Sequence, residues 1–236
     1  MTDDNPTVDE ELLAALHSLE GAPVYLAWLL QLLTPHLGGD IAEVGAGTGT
    51  MTGHLARHGR VTAVEPAGPV FEVLKNRYAN DAAISTVQGG FEVLERGRFD
   101  AIVLSNVIEH IEDETTALQS LLGALRPGGV VVMIAPAHRL LMSEFDRRIG
   151  HHRRYRARPF QHRLIAAGFD SAQVSYINPI GAIGWLVTAR LLRLDPTGNR
   201  FLPVFDRFVI PISRAFTPLT RRIFGQSVVA VARRGE

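Results

Sequence analysis

The sequence predicts an α/β fold: a Rossmann-like, seven-stranded, mostly parallel sheet flanked by helices, with a helical insertion before the last strand. Three observations predict it. Short apolar runs alternate with amphipathic helical patterns along the chain. A glycine-rich turn, Glu43-Val44-Gly45-Ala46-Gly47-Thr48-Gly49, joins the first run to a helical pattern. About 20 residues further on, the second run ends on an acid, Glu65.

Taken in order, helical patterns at 8–19 and 23–37 precede the sheet. Strands are expected at 40–44, 60–64, 84–88, 99–104, 129–135, 172–177 and 227–232. Helices are expected at 50–57, 69–78, 115–125 and 159–167. Pro127-Gly128-Gly129 reads as a turn that stops a helix and launches a strand, and Gly168 as a further helix stop. About 48 residues, 178–225, then separate the last two strands, too many for a structureless connection. This stretch is apolar with scattered Arg, and 181–194 and 201–224 read as amphipathic helices punctuated by Pro196, Pro203, Pro211 and Pro218. It is either a layer packed on the core or on a second subunit, as in a homodimer, or a cap over a substrate pocket.

Composition sets the class. The 236 residues are 46% hydrophobic, an ordinary globular value and enough for one domain with a substantial core. Lys+Arg and Asp+Glu number 24 each, which gives no electrostatic reason to expect nucleic acid as a partner. The chain has no cysteine, which excludes disulfides, thiolate metal sites and a cysteine nucleophile. Residues 1–11 are acidic and polar, without the pattern of a signal peptide. Apolar runs stop short of the ~20 residues a membrane helix needs. A cytoplasmic protein without stable membrane insertion is expected.

The glycine loop carries the chemistry. Glycines turn the chain sharply and let its backbone approach a ligand, and the following helix aims its first N–H groups at that ligand. Dinucleotide loops read G-x-G-x-x-G, whereas here the third glycine arrives early, and Glu43 precedes the loop. A carboxylate there would repel a pyrophosphate and attract the ammonium of an amino acid. The pattern favours a cationic sulfonium amino acid over a nicotinamide dinucleotide. A nicotinamide-dependent oxidoreductase and a non-catalytic, cofactor-binding accessory subunit stand as the competing readings.

These residues resemble the class I S-adenosylmethionine-dependent methyltransferases. The resemblance runs from about Tyr25 to Ala135. Besides the glycine loop it includes Val64-Glu65, Phe99-Asp100-Ala101-Ile102-Val103, Asn106-Val107-Ile108-Glu109-His110-Ile111 and Leu125-Arg126-Pro127-Gly128-Gly129. It implies that Glu43, Gly45, Ala46, Gly47 and Gly49 surround the methionine part of S-adenosylmethionine. Glu65 and Pro66 would meet the ribose, Gly90 and Phe91 the adenine, and Asn106 and Val107 the sulfonium end. One departure stands out: many members carry Asp where this chain has Gly90, so backbone or Glu92 would have to take that contact. On this reading the domain divides into N-terminal helices (1–38), a cofactor-binding core (39–177), the insertion or cap (178–225) and the last strand (226–236).

A second segment, Phe145 to Tyr155, resembles a Gly-His-x-Arg-Arg-Tyr element found in a subset of bacterial methyltransferases. Seven Arg fall between Arg147 and Arg163, a composition suited to holding a carboxylate or phosphate, or to forming a solvated face paired with acids. Tyr25, Arg147, Arg153, Arg154 and Tyr155 are the expected contacts to a small-molecule acceptor. Methyl transfer is an in-line displacement, so alignment and exclusion of water are the protein's main tasks. Where an O or N acceptor must lose a proton, His151, His152 and His110 are the candidate bases. Metal-ligand spacing is not evident, and no metal is expected.

Overall fold

The computed structural model describes residues 20–192 and 202–236. The helix expected at 8–19 lies outside these residues, as do Pro196 and the inner ends of the two insertion helices. The sheet comprises β1 (Gly39–Val44), β2 (Gly59–Glu65), β3 (Ile84–Gln88), β4 (Phe99–Ser105), β5 (Leu125–Pro136), β6 (Ser171–Ile177) and β7 (Ser227–Arg233). Their order is β3-β2-β1-β4-β5-β7-β6. All neighbours pair in parallel except β7, which runs antiparallel to both β5 and β6.

The central strands read as unbroken apolar runs because both their faces are covered. Val130 to Ala135 of β5 are all buried. One layer is α1 (Pro23–Leu33), α2 (Thr52–Leu55) and α3 (Gly68–Arg77), which bring Leu29, Leu33, Leu55 and Leu74 onto Ile41, Val103 and Val132. The opposite layer is α4 (Glu114–Ala124) and α6 (Ala157–Ala166), with the short α5 (Glu144–Arg148) preceding α6. Here Leu118, Leu121, Phe160 and Leu164 pack on Ile102, Val131 and Ala230. Helix α4 starts because Asp113 accepts a hydrogen bond from the Thr116 N–H, and its buried residues Ala117, Leu118, Leu121 and Ala124 follow the helical period.

The expected turn at Pro127-Gly128-Gly129 is absorbed into β5. Leu125 pairs with Phe99 and Val130 with Ala101, so the residues between them bulge, with Gly128 at φ +75°.

The insertion is helical over its described residues. It contains α7 (Pro179–Trp185), which continues as a π-turn over Leu186–Leu191. A short helix (Leu202–Val204) and a second π-turn (Phe205–Val209) then lead into α8 (Ile210–Thr220). Asn178 organises its neck. This residue is buried at φ +59°, and its Oδ1 accepts from the Gly181 N–H and the Ser213 hydroxyl while its Nδ2 donates to Gln226. One side chain thus starts α7, docks α8 on it and closes the insertion where β7 begins.

Candidate active site

Strand β1 lies between β2 and β4, and folds of this order bind ligands at the carboxyl ends of the strands where the winding reverses. The glycine loop after β1 folds back on β2: the N–H groups of Gly45 and Ala46 both donate to the Val64 carbonyl. Glu65, at the tip of β2, is 5% exposed and accepts from the Gly47 N–H and the Ala67 N–H, each at 2.9 Å. Burial raises its carboxyl pKa, and these two bonds work against the rise. Glu43 is also 5% exposed and accepts from the Thr52 hydroxyl at 2.5 Å. Burial pushes its carboxyl up to about 7; the Thr52 bond opposes this, and the nearby Glu65 charge adds to it.

Gly45 holds φ +69°, and a Cβ there would stand 2.4 Å from Cγ2 of Val107, so only glycine lets the loop close on the turn after β4. That turn is made by Asn106 at φ +54°, whose N–H donates to Ile134. Pro66 follows Glu65 and is exposed. The Gly90 N–H donates to Oε1 of Glu92, which places a carboxylate beside Gly90. The expected cofactor residues therefore lie at the ends of β1 and β2 and in the loops after β1, β2, β3 and β4.

Two buried carboxylates beside a glycine loop suit a ligand bearing positive charge and sugar hydroxyls, and they would repel a phosphate. The donor set fits S-adenosylmethionine and fits a dinucleotide poorly.

Beyond Val107 the chain enters a buried polar cluster. His151 Nδ1 lies 2.9 Å from Oδ1 of Asp146, and Arg154 Nη2 lies 2.7 Å from the same oxygen. Burial alone would raise the Asp146 carboxyl, but the His151 bond, the Arg154 charge and the Ser143 hydroxyl hold it down to about 2. An ionised acceptor fixes the proton of a neutral His151 on Nδ1 and leaves Nε2 as the basic nitrogen. That nitrogen lies 3.7 Å from Oε1 of Glu109. Glu109 is fully buried, neither of its oxygens has a hydrogen-bond partner, and burial pushes its carboxyl up to about 8. His110 meets His151 edge-on with ring centroids 4.6 Å apart. Burial, then the His151 and His152 charges, lower its pKa to about 4. Ligand atoms of Glu109, His110 and His151 all lie within 4.8 Å of one another, which makes this the one group among the described residues that could hold a metal ion.

The expected acceptor contacts separate. Arg154 is 9% exposed and spent on Asp146 and on the Ala137 carbonyl. Tyr155 is 2% exposed, donates to the Ile108 carbonyl, and has its phenol pKa raised by burial. Both hold the cluster together from inside rather than facing a ligand. Arg153 bonds Glu114 and the Glu112 carbonyl, while Arg147 is exposed. The His152 side chain is exposed, and its N–H donates to the Glu109 carbonyl. Tyr25 sits apart from this cluster, on α1: its backbone N–H donates to Asp206, and its phenol pKa is raised by burial and offset by a bond to Ser227. Sequence reasoning missed Asp206, which is 3% exposed and ties the insertion to the start of α1 through Val24 and Tyr25. The available signal was a lone acid in an apolar stretch.

Comparison with known proteins agrees with this geometry. Residues 42–133 match the family described as a methyltransferase domain. An uncharacterized methyltransferase of Mycobacterium tuberculosis is 35% identical over 124 residues, 50% of this chain and 62% of the relative. The chain thus spans under two thirds of that relative's length. A ubiquinone biosynthesis O-methyltransferase of Coxiella burnetii is 27% identical over 200 residues, 79% of this chain and 77% of the relative. Among solved structures, an S-adenosylmethionine-dependent methyltransferase of Mesorhizobium loti superposes with a TM-score of 0.60 at 18% identity, covering 87% of this chain and 96% of that one. A phosphoethanolamine N-methyltransferase of Haemonchus contortus, in complex with S-adenosylmethionine, gives 0.60 at 16% identity over 85% of this chain and 49% of its own.

Proposed function

We propose that this chain is a class I S-adenosylmethionine-dependent methyltransferase that transfers a methyl group to an oxygen or nitrogen of a small-molecule acceptor. The observation that carries the proposal is the pair of buried carboxylates, Glu43 and Glu65, flanking a glycine loop at the switch point of the sheet. Glu43 would hold the amino-acid ammonium and Glu65 the ribose hydroxyls. Glu92 and the Gly89-Gly90 backbone would meet the adenine. When bound, S-adenosylmethionine supplies a methyl group made electrophilic by its sulfonium.

The rest is the work of the chain. The Asn106–Val107 turn would set the edge of the cofactor site toward the acceptor. His151 is the base: Asp146 fixes its tautomer and orientation and would stabilise the imidazolium formed when Nε2 takes the acceptor proton. His110, with its depressed pKa, is a poor base at neutral pH and serves as packing for the His151 ring. The O-methyltransferase relative favours a hydroxyl acceptor over an amine.

His151→Ala tests the assignment in single-turnover transfer of labelled methyl to a series of small phenols. Transfer should fall about 10²- to 10⁴-fold while S-adenosylhomocysteine affinity stays unchanged. Equal transfer by wild type and variant would remove His151 from the mechanism. One equivalent of divalent metal copurifying with the protein would reassign it from base to ligand.

A further inference from the structure

Among the described residues, the most exposed apolar surface lies on the insertion. Val204, Phe208, Ile212, Phe216, Leu219 and Ile223 recur every three or four residues and are 49–76% exposed, while Asp206, Ile210 and Ser213 point inward. The neighbouring α7 and its π-turn add Ile183, Val187, Leu191 and Leu192, all exposed. A surface helix of a globular protein ordinarily turns such a stripe toward the core. Here a narrow polar and apolar edge is docked, and the broad greasy face is outside.

Charge identifies what covers this face. Arg207, Arg214 and Arg221 follow one another at intervals of seven along the stripe, with Arg222 beside them, and all four are exposed. The only acid among the described residues of the insertion is Asp206, which is buried against α1. A two-fold contact between copies of this face would bring an all-basic border against itself. An apolar stripe edged by arginines instead matches the boundary between acyl chains and anionic headgroups. Among the described residues no helix is long and apolar enough to cross a membrane, so the contact is one of lying on the surface.

We propose that the outer face of the 202–223 helical segment, with the exposed side of α7, is a docking surface for an anionic lipid bilayer. The insertion is also keyed to the segment that carries His151: Trp185 Nε1 donates to the Leu141 carbonyl, and the Trp185 ring packs against Phe145 and under Arg154. Docking therefore sets the acceptor side of the molecule close to the lipid.

Vesicle flotation of the full chain tests this. The protein should float with phosphatidylcholine vesicles containing phosphatidylglycerol and stay behind with phosphatidylcholine alone, and added salt should weaken the binding. Phe216→Glu with Leu219→Glu should abolish flotation. Arg207→Ala with Arg214→Ala, which leaves the apolar stripe intact, should weaken it about tenfold or more. All four positions are exposed, so melting temperatures should match wild type. Two results would overturn the proposal: no flotation with anionic vesicles, or a vesicle-free dimer that Phe216→Glu splits into monomers without any change in lipid binding.

Discussion

Glu43 shows how one residue links stability to binding. Its ordinary carboxyl pKa of 4.5 rises to about 7 in the fold because the group is buried, with Glu65 nearby. A folded-state value above the unfolded one means that stability is intact below the ordinary value and is lost as pH rises toward about 7. Glu43→Gln should therefore match wild type in stability near pH 4 and exceed it by about 3 kcal/mol at pH 8, measured by urea unfolding. The ammonium group of the ligand favours the ionised form, so wild-type affinity for S-adenosylhomocysteine should rise between pH 6 and pH 8, and the variant's should not. A variant destabilised at pH 8 would show that the Thr52 bond outweighs the cost of burying the charge. Glu43 and Glu65 were legible in the sequence because their place relative to the glycines is set by the chain itself. The Asp146–His151–Arg154 cluster was not. Its arginine was expected to contact the acceptor, and only the packing of α5 and the Ala137 region buries it and makes Asp146 its partner.

At the scale of elements, the loop between β1 and α2 is held open by backbone conformation. Gly45→Ala would force a side chain into φ +69° and into Val107 at once. We expect a loss of about 2–4 kcal/mol in unfolding free energy together with weaker S-adenosylhomocysteine binding. Adding Val107→Ala relieves the clash but not the backbone strain, so it should restore part of the stability. No recovery would place the whole cost in the backbone. Strands and most helices could be read from periodicity to within a few residues, since burial on both faces leaves long apolar runs. The β5 bulge could not be read: its proline and glycines look like a turn, and only pairing with β4 continues the strand through them. The antiparallel direction of β7 is likewise a property of pairing that no local pattern encodes.

At the scale of the whole molecule, the sheet fixes the ligand end and the insertion decorates it. The length and apolar character of 178–225 announced helices, but the periodicity alone left open which face turns inward. Tertiary contacts settle that: Asn178 and Ser213 dock one edge, and the hydrophobic stripe stays outside. We propose that the carboxyl ends of β1, β2 and β4 bind S-adenosylmethionine through Glu65. Calorimetric titration with S-adenosylhomocysteine, run on wild type and on Glu65→Gln, tests it most directly. Wild type should bind near the micromolar range and the variant at least about tenfold more weakly. No heat with wild type, or equal affinity in both proteins, would contradict it.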